Sequence, residues 1–177
     1  PRAADAAQAT RQDLKASPAL SILLNQPKTF SGRKLGVLVS DGADAALLTA
    51  LEKAAKKEGA KLAYVAASVG GVKLSDGSWL EADEKVDGGP SVVFDAVALV
   101  LSEKGAGELA AMPPARDFVS DALAHKKFIG FTEEAVDLLG LSGPDGAGAE
   151  GLVPLDKATD AARLLTLCRN LRCWTRD

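Results

Sequence analysis

Phe128-Ile129-Gly130-Phe131-Thr132-Glu133-Glu134-Ala135 decides how this chain is read. A short apolar run of strand type gives way at Thr132 to helix-forming residues. Such a corner belongs to open α/β sheets, where ligands bind in the crevice beyond the carboxyl ends of the strands. A strained turn at that point lifts one side chain into the crevice as a nucleophile. Here the side chain is Thr132, followed by Glu133 and Glu134, with no cysteine or serine at the corner and no histidine in the next turn. We read the corner as a vestigial site, with Thr132 and Glu133 standing where the chemistry would be.

Working outward toward the N-terminus, residues 96–101 form a buried-strand pattern followed by two short helices, the second placing Phe118, Val119, Ala122 and Leu123 on one face. Val72-Lys73-Leu74 and Trp79-Leu80-Glu81 bracket Ser75-Asp76-Gly77-Ser78, and an Asp-Gly turn between alternating segments signals a hairpin. Residues 34–40 predict a first buried strand closed by Asp41-Gly42. Leu47, Leu48, Leu51, Ala54 and Ala55 recur with helical spacing until Gly59, and residues 61–66 predict a second strand. Strand, helix and strand within about thirty residues make a right-handed βαβ unit. Residues 1–16 read as an amphipathic or frayed helix rich in alanine, ended at Ser17-Pro18. Residues 19–24 are too apolar for a free linker, and residues 27–32 read as a connector.

Toward the C-terminus, residues 133–139 predict a helix whose first turn holds both glutamates, where the helix dipole favours negative charge. A glycine-rich loop covers residues 143–151, and Leu152-Val153 reads as a short edge strand ending at Pro154. The last helix is predicted over residues 157–172, with Asp156 as N-cap and Ala161, Leu164, Leu165, Cys168 and Leu171 as its buried stripe. The sum is a flavodoxin-like three-layer α/β sandwich with a mostly parallel central sheet and a β-hairpin insertion. Residues 1–33 are assigned to a helical or extended linker, and residues 34–177 to the domain.

A length of 177 residues with 47% hydrophobic residues suits one domain with a sizeable core. A formal net charge of −3 provides no basic excess to attract nucleic acid, and no apolar run approaches a membrane span. The composition is that of a soluble protein. The opening on Pro1 and polar, alanine-rich sequence is expected of a fragment of a longer chain, without a signal peptide or any compartment address. Cys168 and Cys173 have neither redox nor zinc spacing and are expected to be unpaired small hydrophobes. Ser40-Asp41-Gly42-Ala43-Asp44 carries two carboxylates that would repel a phosphate. Gly70-Gly71 and Gly88-Gly89 lack the spacing of a dinucleotide site. Asp83-Glu84 and Glu133-Glu134 read as solvated carboxylates, and no metal site is expected.

Five segments carry a family resemblance: Ser17-Pro18-Ala19-Leu20-Ser21, the strand at residues 35–39, Asp76-Gly77-Ser78-Trp79-Leu80, Gly89-Pro90-Ser91-Val92-Val93-Phe94-Asp95-Ala96-Val97 and Leu164-Leu165-Thr166-Leu167. In this order they resemble the C-terminal domain of large-subunit haem catalases, which follows the haem core and is similar to the DJ-1/PfpI and class I glutamine amidotransferase-like fold. The resemblance implies a parent that is a homotetrameric, hydrogen peroxide-consuming catalase, with the catalase core and sister subunits as partners. Haem is implied in the parent's core, and no cofactor in this chain. The family's haem-site histidine, asparagine and tyrosine have no matching segment here. His125 and Tyr64, the only residues of their types, have no haem-ligating neighbourhood.

DJ-1/PfpI proteins place a cysteine at the corner that Thr132 occupies, and many support it with a glutamate at about the position of Leu47. Both positions depart from the active pattern, so the expectation is a non-catalytic domain that stabilises or assembles its parent. Leu20, Ile22, Leu23 and Leu24 are its expected interaction surface. An ATP-independent chaperone that holds unfolded client proteins would use the same residues. The alternative is a DJ-1/PfpI-like hydrolase, or a small-molecule or nucleotide-binding module, using the corner at Thr132.

Overall fold

The computed structural model describes residues 4, 5, 7–140 and 150–176. Four parallel strands form the centre: β1 (Lys34–Val39), β2 (Lys61–Ala66), β6 (Ala96–Val100) and β7 (Ile129–Phe131). Three short strands lie between β2 and β6 in the chain: β3 (Val72–Lys73), β4 (Trp79–Leu80) and β5 (Glu84–Lys85); β8 (Leu152–Pro154) follows β7. The six-stranded sheet runs β5-β2-β1-β6-β7-β8 with every pairing parallel, while β3 and β4 form a separate antiparallel hairpin. The predicted strands, hairpin and edge strand are all present. β5 was not foreseen, because two charged residues carry no strand signal. Those charges also blunt the sheet edge against pairing with another chain.

Helices α2 (Ala45–Lys57) and α5 (Thr159–Cys168) cover one face, and α3 (Glu103–Ala110) and α4 (Pro113–Ala124) cover the other. Because both faces are covered, β1 and β6 are continuous apolar runs rather than alternating ones. Leu35, Val37 and Val39 point to the α2/α5 side and Leu38 to the α3/α4 side. Gly36 shares that second side: a Cβ there would lie 2.4 Å from the Phe94 ring, so the glycine makes room for the aromatic. The α2 stripe buries Leu47, Leu48, Leu51 and Ala55 as its spacing predicts, and Asp44 caps it by accepting from Ala46 N and Leu47 N. At their far ends α2 and α5 are joined by Arg169, whose guanidinium donates to both Glu58 oxygens at 2.6 and 2.9 Å and holds that carboxyl below its ordinary range.

Several expectations need correction. Described residues 7–17 form no helix, only exposed chain; a 3-10 turn (Pro18–Leu20) and the one-turn helix α1 (Ile22–Asn25) follow. Alanine propensity without a partner face does not hold a short helix in water. Leu20, Ile22, Leu23 and Leu24, the expected interaction surface, are exposed. Phe30, inside the predicted connector, is fully buried in the core. After β7 the chain makes a 3-10 turn (Glu133–Ala135) instead of a helix over residues 133–139. α5 starts at Thr159, not 157, without a side-chain cap from Asp156, and stops at Cys168. Leu171 adopts a φ of 65°, so Cys173 lies beyond the helix; both cysteines are buried free thiols. Most of the predicted glycine-rich loop falls outside the described residues.

Lys127 is also unforeseen. It follows His125-Lys126 at the end of α4, where solvent is the usual surrounding, yet it is 1% exposed. Its Nζ donates to the carbonyls of Ser91 and Phe94, pinning the 3-10 turn (Ser91–Val93) to the start of β7. Burial, helped by the charge of Arg172 and opposed by Asp95 and Asp121, pulls this ammonium down to about 8. A lysine lowered in the folded state binds its proton less tightly than the unfolded chain does, so stability rises with pH between the folded and unfolded values. Unfolding titrations should therefore show wild type gaining about 2 kcal/mol relative to Lys127→Met between about pH 7.5 and about pH 9.5. Parallel curves would mean that the amine titrates as an ordinary lysine.

Candidate functional site

Three strand ends meet at the crevice. β1 is flanked by β2 and β6, and the chain runs outward through β2 before crossing back to β6, so the sheet's switch point lies between β1 and β6. There Ser40 ends β1 and Ser102 follows β6. Ser102 N donates to Ser40 Oγ at 3.0 Å, and Ser102 Oγ donates to the Asp41 carbonyl at 2.6 Å. Ser102 Oγ also caps α3 by accepting from Gly105 N at 3.1 Å. Gly105 allows the close approach, since a Cβ there would stand 2.1 Å from Ser40. These two serines were not singled out in the sequence. The available signal was a hydroxyl at the end of each of two buried strands.

Thr132 occupies the predicted corner, immediately after β7 and buried. Its backbone is extended, with φ −82° and ψ 159°, so the corner holds no strained elbow. Its hydroxyl accepts from Leu101 N at 3.2 Å and lies 3.3 Å from the Leu101 carbonyl. Thr132 N donates to the Leu99 carbonyl at 3.0 Å, so side chain and backbone together continue the β6–β7 ladder one residue beyond the sheet. A hydroxyl engaged in this way is not aimed at a reacting atom. Nor can it cap a helix, which accounts for the 3-10 turn after it. Glu133 sits beside Thr132 as an exposed side chain, and Glu134 likewise.

The crevice above these strand ends has a volume of about 590 Å³ and is lined by Thr132, Ser102, Leu47 and five exposed carboxylates: Asp44, Glu103, Glu133, Glu134 and Asp156. Leu47 projects from the first turn of α2 and supplies no acid. His125 ends α4 at the opposite end of β7 and is exposed, so it provides no base to Thr132. A general base needs hydrogen-bond reach of the proton that it removes. Among the described residues no three His, Cys, Asp or Glu side chains group to hold a metal ion.

The loop after β1, where related folds hold phosphate, has most of its amides engaged. Gly42 N donates to the Lys73 carbonyl at 2.7 Å, and Ala45 N donates to Ser75 Oγ at 3.2 Å. Ala46 N and Leu47 N both donate to Asp44 Oδ1. Lys73 N donates to Asp41 Oδ1 at 2.8 Å, and Ser75 N to the Ala43 carbonyl at 3.0 Å, so the hairpin insertion is stitched onto this loop. An anion arriving there would find acceptors rather than donors.

Tyr64 gives no better haem ligand than His125. Its phenol is buried and donates to Glu52 Oε1 at 2.7 Å, and burial first, then that carboxylate, pushes its ionisation upward. The Asp83 carboxylate is likewise committed, accepting from Tyr64 N at 2.8 Å.

No family model matches the chain. Catalase C of Rhizobium meliloti (strain 1021) is 50% identical over 177 residues, which is 100% of this chain and 25% of that protein. Catalase HPII of Pseudomonas putida is 32% identical over 174 residues, 96% of this chain and 23% of that protein. The chain thus spans about a quarter of the length of the curated relatives it matches, in their C-terminal region. Among solved structures, oxidized Toxoplasma gondii DJ-1 superposes with a TM-score of 0.65 at 15% identity, covering 79% of this chain and 91% of that one. Schizosaccharomyces pombe DJ-1 does so with a TM-score of 0.60 at 18% identity, covering 76% and 90%. The structural likeness establishes the fold, and the sequence likeness establishes the kinship. The chain belongs to the family of C-terminal domains of large-subunit catalases, with the fold of the DJ-1/PfpI proteins.

Proposed function

We propose that this chain is the non-catalytic domain of a large-subunit haem catalase, and that it stabilises or assembles the parent homotetramer through contacts with the catalase core and sister subunits. The observation that carries the reading is Thr132: the residue at the fold's usual nucleophile position has its hydroxyl engaged with Leu101, and Leu47 lines the same crevice without supplying a carboxylate. Haem does not fit this chain, because His125 is exposed at the end of α4 and the Tyr64 phenol is donated to Glu52. Residues 1–33 then serve as the connecting segment and residues 34–177 as the stabilising domain.

A second reading draws on the exposed Leu20, Ile22, Leu23 and Leu24. Several large apolar side chains left together in water form an adhesive surface, and an ATP-independent holdase would use it for unfolded clients. Light scattering of a heat-denatured client tests this: wild type should suppress aggregation, and Leu23→Asp with Leu24→Asp should abolish that protection. Protection no better than an inert protein at equal mass ends the chaperone reading.

The primary proposal carries further expectations. The purified chain should neither bind haem nor decompose peroxide, and should show no hydrolase, glyoxalase or amidase turnover; Thr132→Cys should not create an efficient enzyme, because Leu47 provides no carboxylate. Turnover that disappears in Thr132→Ala would overturn the proposal. Deleting residues 34–177 from the full-length protein should lower its thermal midpoint or its tetramer content, and an unchanged protein would count against a stabilising role. For Thr132 itself, Thr132→Val should cost about 1–3 kcal/mol in urea unfolding by leaving the Leu101 amide unmet, while Thr132→Ser should retain most of the stability.

A further inference from the structure

On the outer flank of β2 lies a hollow of about 750 Å³, larger than the crevice at Thr132 and sharing no residue with it. The second half of α2 forms one wall and the chain from β4 to β5 the other. Its floor is apolar, with Leu62 and Leu80 half-buried against the core. Trp79 lines it and is 62% exposed. The one polar atom of that indole is already engaged, since Nε1 donates to the Gly70 carbonyl at 2.8 Å, so the ring is held in place and its face is left for contact. Three carboxylates line the same hollow. Glu52 and Asp83 each commit one oxygen to Tyr64, accepting from its hydroxyl at 2.7 Å and its amide at 2.8 Å, and no described residue donates to the second oxygen of either. Glu81 is exposed, and among the described residues none donates to it. Lys56, the one cation on the lining, pairs with none of the three. The backbone contributes as well. Lys61 N donates to the Arg33 carbonyl on the β1 side, so Leu62 turns its amide and carbonyl outward, and β5 pairs with β2 only at Val65 and Ala66.

We propose that this hollow binds an organic cation, a guanidinium or ammonium group carried on a short alkyl chain. The alkyl chain lies on Leu62 and Leu80, the cation meets the indole of Trp79, and Glu81 with the free oxygens of Glu52 and Asp83 neutralises it. A cation over an indole face is drawn by the ring's quadrupole. Carboxylates gathered on a concave, partly apolar wall focus their field into the hollow, and an entering cation relieves the repulsion among the three like charges. A neutral apolar ligand leaves that repulsion in place, and an anion adds to it. Apolar floor, oriented aromatic and convergent polar groups together are what distinguish a ligand site from a charged surface. The crevice at Thr132 has more carboxylates but no aromatic side chain on its lining. The cation has two sources of the same chemistry: a free small molecule, or an arginine or lysine side chain of an extended segment whose amides would pair with Leu62.

Trp79 and Trp174 are the only tryptophans, so in Trp174→Phe the indole emission reports on the hollow alone. Titration with butylguanidinium should shift that emission saturably, and N-butylurea, which has the same shape without the charge, should not. Calorimetry on the wild-type chain should show the same saturable binding. Trp79→Leu should weaken it about fivefold and Glu81→Gln about threefold. Both side chains are exposed, so neither change removes a buried contact on which folding depends. Glu134→Gln, on the lining of the other carboxylate-rich hollow, should leave binding unchanged. N-acetyl-arginine amide separates the two sources: binding tighter than that of butylguanidinium assigns the site to an arginine side chain, weaker binding assigns it to a free cation, and both support the proposal. Absence of saturable binding by both methods, or an equal response to N-butylurea, overturns it. So does a loss in Glu134→Gln as large as that in Glu81→Gln, which would mark general attraction to an acidic surface. The stabilising role is untouched by any of these outcomes, since it is read from the thermal midpoint of the full-length protein.

Discussion

Where parallel strands end side by side, each leaves a backbone amide and carbonyl that no further ladder residue will pair, and buried groups of that kind must find other partners. In this chain the partners are hydroxyls. Ser40 accepts from the amide of Ser102, Ser102 donates to the carbonyl of Asp41, and Thr132 takes up the amide of Leu101. The consequence is chemical as well as structural. A DJ-1/PfpI-type site needs a reactive group aimed out of the sheet and a carboxylate to position it; here the corner hydroxyl is engaged with Leu101, and Leu47 lines the crevice where a carboxylate would be needed. One hydrogen-bonding demand thus ties the strand ends together and engages the hydroxyl at the position where the fold usually works.

The two ends of the sandwich solve opposite problems. At the strand ends, the hairpin β3–β4 is bonded onto the loop after β1, so amides that elsewhere receive an anion are already donated, and five carboxylates surround what space remains. At the strand starts, polar groups are consumed from within: Lys127 draws the turn before β6 against β7, and Arg172 reaches the carbonyl of Asp95. Once those polar groups are satisfied, the side chains left pointing outward there are valines, leucines and a tryptophan.

The layered fold was legible because period and burial agree: the apolar runs at 35–39, 61–66 and 96–100 have both faces covered, and the α2 stripe repeats at helical spacing. The corner at Thr132 was legible for the same reason. What followed it was not, because Glu133-Glu134-Ala135 has helix propensity and only the diversion of the Thr132 hydroxyl to Leu101 removes the cap. Lys127 was illegible since its burial depends on carbonyls more than thirty residues earlier in the chain. The pairing of Ser40 with Ser102 escaped notice because it requires β1 and β6 to be neighbours, a fact of sheet order rather than of either strand. β5 was missed because Glu84 and Lys85 owe their strand geometry to the edge of β2.

At the corner the Thr132 hydroxyl is hydrogen-bonded to Leu101, and at the strand starts Lys127 and Arg172 consume the polar groups of the turn before β6. The arrangement has a physical logic. Chemistry at the strand ends demands unmet donors and a mobile, solvated crevice, both of which cost stability in a domain whose margin is only about 5–15 kcal/mol. Docking demands a rigid face whose shape does not change on contact. Satisfying Leu101 with Thr132 and Ser102 with Ser40 stiffens the sheet from one end, and Lys127 fixes the turn that presents Val92 and Val93 at the other. The same satisfied backbone is what the stabilising role proposed above would require.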